Sequence, residues 1–131
     1  MKRILLFIIV SFATINVFAQ TQTTPTPVVS PDSEVIYRLF ATRNTWNFIK
    51  LNTRNGKMWQ VQWHTGDERF EVPLSSKSLV VANEEKNGRF FLYPTTNMYN
   101  FILLDQIDGR TWQVQWSTEI KDRAVIEINR P

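Results

Sequence analysis

The chain contains no cysteine. That excludes a disulfide framework, a thiolate metal site, a cysteine nucleophile and a lipidated N-terminal cysteine, and it leaves stability to the packing of a core. Histidine is nearly as scarce, with His64 the only one. A general base needs a partner and an orienting group, and a metal site needs further ligands at suitable spacing. Neither accompanies His64, which reads as a surface residue at a strand end. The carboxylates Asp67, Glu68, Glu71, Asp105, Asp108 and Glu127 are scattered among Lys and Arg, and their spacing supports no paired-acid site of the glycosidase kind. Glu84-Glu85-Lys86 reads as solvated loop. These absences predict a protein that is not an enzyme and holds neither a metal nor another cofactor.

No run of Lys or Arg forms a basic stripe, which argues against nucleic acid as a partner. No apolar run reaches the roughly 20 residues a membrane span requires, because the stretch from Ile4 is interrupted by Ser11, Thr14 and Asn16. With Met1-Lys2-Arg3 before it and Val17-Phe18-Ala19 after it, residues 1–19 read as a signal peptide cleaved between Ala19 and Gln20. The expected destination is the periplasm, the outer surface or the medium, with no stable membrane span after cleavage. Of 15 basic residues, Lys2 and Arg3 leave with the leader, so 13 face 12 acidic ones and the excess of positive charge nearly vanishes. Residues 20–33, QTQTTPTPVVSPDS, have the composition of a Thr/Pro-rich linker. Residues 34–131 are expected to form a single β domain.

What the sequence does contain is a duplication. Shifted by 53 residues, Tyr37–Thr65 superimposes on Phe90–Thr118 without a gap, with 14 identities in 29 positions. One indel later Val72 and Leu74 face Ile126 and Ile128. The domain therefore divides into repeat 1 (35–74), a connector (75–88) and repeat 2 (89–131). Alternating β-branched and aromatic residues, broken by Asn, Asp and Gly, predict four strands in each repeat and no helix. They run near 35–41, 46–52, 57–65 and 69–74, then near 89–93, 98–105, 110–117 and 123–129. Asn55-Gly56 and Asp108-Gly109 close the central hairpins, where Gly supplies the positive φ. Loops of four residues would pair Trp46 with Trp63, Phe48 with Val61 and Lys50 with Trp59. In the second repeat Tyr99 would face Trp116, Phe101 would face Val114, and Leu103 would face Trp112.

Strand alternation sends Trp59, Val61 and Trp63 to one face and Gln60 and Gln62 to the other. Trp112, Val114 and Trp116 separate from Gln113 and Gln115 in the same way. Two readings stay open for these residues. The Trp rings form the core and the amides a solvated face, or Trp59, Trp63, Trp112 and Trp116 serve as stacking platforms beside Gln60, Gln62, Gln113 and Gln115 in a pair of ligand-binding sites. Asn47 and Asn100 recur with the amides. The connector is polar apart from Leu79-Val80-Val81-Ala82 and reads equally as a plain link or as a short extra strand.

The segments FIKLNTRNGKMWQVQW and FILLDQIDGRTWQVQW resemble a blade hairpin of quinoprotein-type β-propellers over about 16 residues in each repeat. No quinone-ligand set accompanies them, so no such cofactor is implied. The plan also resembles small secreted lectins whose two-bladed chains trimerise into a sugar-binding propeller. It is similar as well to short, uncharacterised exported bacterial proteins that carry a duplicated Trp-rich β unit, which implies nothing about activity. The expected fold is all-β: two tandem four-stranded antiparallel repeats forming a pseudo-twofold, eight-stranded barrel or sandwich, packed aromatic face to aromatic face. The alternative is an open pair of propeller-like blades that oligomerise to cover their exposed edges. The expected function is a non-catalytic exported binding or interaction module, with carbohydrate, cell-envelope material or an envelope protein as partner. The alternative is a small structural or accessory envelope protein with no small-molecule site.

Overall fold

The structure is a computed structural model that describes residues 34–131, so the expected leader (1–19) and linker (20–33) lie outside the described residues. Eight strands alternate with short loops: β1 (Tyr37–Ala41), β2 (Asn47–Asn52), β3 (Met58–Gln62), β4 (Phe70–Ser75), β5 (Phe90–Pro94), β6 (Asn100–Asp105), β7 (Thr111–Gln115) and β8 (Ala124–Glu127). They form two antiparallel four-stranded sheets in sequence order, β1-β2-β3-β4 and β5-β6-β7-β8. The only helical pieces among the described residues are two single 3-10 turns, Ala82–Glu84 and Ile120–Asp122. The all-β, two-repeat architecture expected from the sequence is present, as two layers rather than a closed barrel.

Both central hairpins take the register that their turns predict. Phe48 faces Val61 and Lys50 faces Trp59, while Phe101 faces Val114 and Leu103 faces Trp112. One residue pair further on, the Trp63 N–H donates to Trp46 O at 2.9 Å and the Trp116 N–H to Tyr99 O at 3.0 Å. The turn glycines have φ of 78° (Gly56) and 76° (Gly109), a region that side chains with a Cβ avoid. Asn52 and Asp105 shape the two turns by accepting from the Arg54 and Ile107 N–H groups, each at 2.9 Å.

The repeats are alike in sequence but bury opposite faces. In β2 the buried row is Asn47, Ile49 and Leu51, whereas in β6 it is Phe101, Leu103 and Asp105. Those rows are out of step by one residue, and a one-residue offset in a strand is a change of face. The core consequently joins Phe40, Ile49, Leu51 and Met58 of the first sheet to Phe90, Leu92, Phe101, Leu103, Trp112, Val114 and Trp116 of the second. The sheets stack front to back, and the expected contact of aromatic face on aromatic face is not made. The reason is Lys50, which occupies in the first repeat the position of Leu103. Its ammonium pairs with Glu71 and lies 4.9 Å from the Trp59 ring centre and 5.6 Å from that of Tyr37. Closing both aromatic rows together would set this charge against the apolar row of Leu103 and Trp112, at a cost of several kcal/mol.

The connector covers the Gly-turn end of the molecule. The Leu79 N–H donates to Asn55 O at 2.8 Å, and Leu79 and Val80 pack against the core. Nearby, the Phe90 N–H donates to Thr53 O at 2.8 Å and so links the two sheets. Arg89 and Asp105 form a buried ion pair there, with Arg89 Nη2 2.8 Å from Asp105 Oδ2. The guanidinium also donates to Glu84 O at 2.9 Å, which ties the connector to the second sheet.

Candidate functional site

Front-to-back stacking divides the eight candidate residues. Trp112 and Trp116 are 4% and 1% exposed and belong to the core, and Gln60 is fully buried. Trp63 is 43% exposed and Trp59 half-buried on the open face of the first sheet, while Gln113 lies exposed on the open face of the second. Gln62 and Gln115 are half-buried near the strand ends. The stacking does not gather these residues into one symmetric groove.

The recurring amides have partners inside the fold. Gln60 Nε2 donates to Asn47 Oδ1 at 2.9 Å, and Asn47 Nδ2 to Asn44 Oδ1 at 3.0 Å. The second repeat makes the same relay from Gln113 through Asn100 to Asn97, at 2.8 and 2.9 Å. Thr42 and Thr95 each close the loop by donating from Oγ1 to the carbonyls of Asn47 and Asn100, both at 2.7 Å. The pattern Thr-x-Asn-x-aromatic-Asn thus fixes the loop that precedes β2 and β6. Buried amides are stable only when bonded in this way. Gln60 Oε1 is nonetheless buried with no hydrogen-bond partner among the described residues.

The same loops assemble an aromatic pair at the end of each sheet opposite the Gly turns. Trp46 packs on Trp63 with ring centres 4.7 Å apart, and Tyr99 on Trp116 at 5.3 Å. Each lower ring is anchored through its indole N–H, Trp63 to Thr45 O at 2.8 Å and Trp116 to Met98 O at 3.0 Å. The amide next in sequence to each anchored Trp bonds the following loop: Gln62 Nε2 donates to Glu68 O at 3.1 Å and Gln115 Nε2 to Asp122 O at 2.6 Å. In the second repeat the result is an open cleft of about 350 Å³ lined by Tyr99, Gln115, Trp116, Ser117, Glu119 and Asp122. In the first, His64 stacks on Trp46 at 4.7 Å, and its Nδ1 accepts the Gly66 N–H at 3.0 Å. Its Nε2 is 3.9 Å from a Glu68 carboxylate oxygen. Trp46 and Tyr99 lie outside the eight candidate residues, although the register expected from the turns sets each opposite a candidate Trp. Ser117, Glu119 and Asp122 come from a loop, where no periodicity points to them.

The charged cluster at the Gly-turn end is structural in its bonding. The Arg89 guanidinium is held above its ordinary pKa, first by its hydrogen bond to Asp105, with desolvation acting against it and the charges of Asp105, Asp108 and Glu84 adding to it. For the Asp108 carboxyl, burial pushes upward, yet the backbone N–H and guanidinium of Arg110 outweigh it and hold the group below the usual carboxylate value. Between connector and second sheet lies another open cavity, about 410 Å³, lined by Lys77, Ser78, Arg110, Trp112 and Glu127. Among the described residues, no group of three or more His, Asp or Glu side chains is placed to hold a metal ion. No protein-family model, no curated protein and no solved structure matches this chain.

Proposed function

We propose that the chain is an exported, non-catalytic binding module that takes a carbohydrate, or carbohydrate-rich cell-envelope material, at the aromatic end of each sheet. One observation carries this reading: both repeats set an exposed or half-buried ring (Trp46, Tyr99) on an anchored Trp (Trp63, Trp116), and in the second repeat Gln115 lines the same cleft as its pair. A flat ring covers the apolar face of a sugar, and Gln115 and Asp122, which line the cleft beside Tyr99, suit its hydroxyls. Two such ends on one chain favour a repetitive polymer, since the second engagement is intramolecular. Export rests on the leader at 1–19. The non-catalytic part of the reading rests on the sequence, in which His64 is the single histidine and the carboxylates show no paired spacing.

The test is co-sedimentation of the chain with insoluble envelope and structural polysaccharides, compared with Trp46→Ala, Tyr99→Ala and the double variant. Binding that weakens in each single variant and disappears in the double, with circular dichroism unchanged, is the expected result. No binding to any polysaccharide, or binding indifferent to both substitutions, refutes the proposal. It would favour the alternative of a small accessory envelope protein, for which the internal bonding of the amides already speaks.

A further inference from the structure

The two outer faces of the molecule repeat the two faces that it buries. Within the chain, the row of Phe40, Ile49, Leu51 and Gln60 packs on the row of Leu92, Leu103, Trp112 and Trp116. The outer face of the second sheet carries the counterparts of the first of these rows: Tyr93, Ile102, Leu104 and Gln113. The outer face of the first sheet carries the counterparts of the second: Leu39, Lys50, Trp59 and Trp63. What is buried in one place is open in the other. Leu92 is fully buried and Leu39 is 56% exposed, while Phe40 is 3% exposed and Tyr93 44%. Ile126 and Ile128, 58% and 42% exposed, widen the apolar surface of the second sheet.

We propose that the outer face of the second sheet in one copy packs on the aromatic outer face of the first sheet in the next, so that copies join head to tail. The occupant of each open face is a second copy because the chain already holds the matching contact between its own sheets. Such an interface is heterologous, joining two different patches, and it propagates into a ring or a filament. It is more polar than the internal contact, since Lys50 replaces Leu103 and Tyr93 replaces Phe40; Lys50 enters it paired with Glu71 and against the face that carries Gln113 and Tyr93, which suits reversible association rather than an obligate core. The loop-end rings survive it: Trp63 becomes covered as Trp116 is, and Trp46 stays accessible as Tyr99 does. The proposal is therefore independent of the ligand at those ends.

The experiment is light scattering of the purified full chain over about two decades of concentration, together with Leu39→Glu on one face and Ile126→Glu on the other. Both positions are exposed, and Tyr37→Glu and Tyr93→Glu provide a second pair should either variant misfold. The wild-type mass is expected to rise above that of a monomer, and each variant alone to stay monomeric. An equimolar mixture of the two variants retains one intact interface and is expected to give a complex of two chains and no larger. A wild type that is monomeric throughout, a variant that still assembles alone, or a mixture that stays monomeric overturns the proposal.

Discussion

Leu39 and Leu92 are the same residue at the same place in two copies of one unit, yet truncating them is expected to give opposite results. Leu92 is fully buried in the row with Leu103 and Trp112, whereas Leu39 is 56% exposed. Leu→Ala in a tight core costs about 2–5 kcal/mol, from lost transfer energy plus the cavity left behind. The large neighbours of Leu92 leave little room for collapse, so about 3 kcal/mol is the working figure. At roughly 4–8 °C per kcal/mol for a domain of this size, Leu92→Ala should melt about 12–24 °C below the parent. Leu39→Ala should cost under about 1 kcal/mol and shift the midpoint by only a few degrees. The assay is thermal and urea unfolding followed by tryptophan fluorescence, at a dilution where the chain is monomeric. Equal losses in the two variants would mean that equivalent faces are buried in both sheets, and the front-to-back stacking would be refuted.

Three further outcomes are expected. Arg89→Leu removes the nearest cation from the buried Asp105 carboxylate and leaves it Arg110 at 3.7 Å, so it should cost up to about 3 kcal/mol by urea unfolding. The double change Arg89→Ile with Asp105→Asn, which copies Ile36 and Asn52 of the first repeat, should recover most of that loss, and a double variant no better than the single would contradict the pairing. Both Gly56→Ala and Gly109→Ala force a Cβ to positive φ at about 1–2 kcal/mol, but only at Gly56 does the new atom fall 2.7 Å from Leu79 Cδ1. Gly56→Ala should therefore be the more damaging in the same assay and should loosen the connector to proteolysis, with equal effects counting against the Leu79 contact. The lowered pKa of Asp108 means that its contribution to stability is complete above the unfolded carboxylate value of about 4, and is lost as pH falls through the lower folded value. Asp108→Asn should flatten the acid limb of the stability profile in that window, and an unchanged slope would contradict the assignment.

The strands and their register were legible because they are set locally. Period-two alternation marks each strand, and Asn55-Gly56 and Asp108-Gly109 set the loop lengths that pair Phe48 with Val61 and Phe101 with Val114. The buried face was not legible from the shared motif, since WQVQW is identical in both repeats and turns opposite sides inward. A few unshared residues decide it: Lys50 and Tyr37 mark the outward row of the first sheet, while Thr111 and Tyr93 mark that of the second. Each has an apolar counterpart, namely Leu103, Phe90, Met58 and Phe40, in a buried row. The site was half legible. The Trp and Gln positions were visible, but the relay from Gln60 through Asn47 to Asn44 depends on strand pairing and loop shape together. The connector gave no signal of its own, because its role depends on Asn55, Gly56 and Arg89 lying beneath it.

The absence of cysteine makes the stacking open to a direct measurement. Single cysteines at Gln60, Val61, Gln113 and Val114 sample both faces of both sheets, and thiol labelling of the folded, dilute chain reports which are covered. Gln60 and Val114 are fully buried, Gln113 is exposed and Val61 half-buried. The expected pattern is crossed: Cys at 61 and 113 label quickly, and Cys at 60 and 114 label only on unfolding. Matching protection at 61 and 114, with matching reactivity at 60 and 113, would mean that the two aromatic faces meet and that the front-to-back arrangement is wrong.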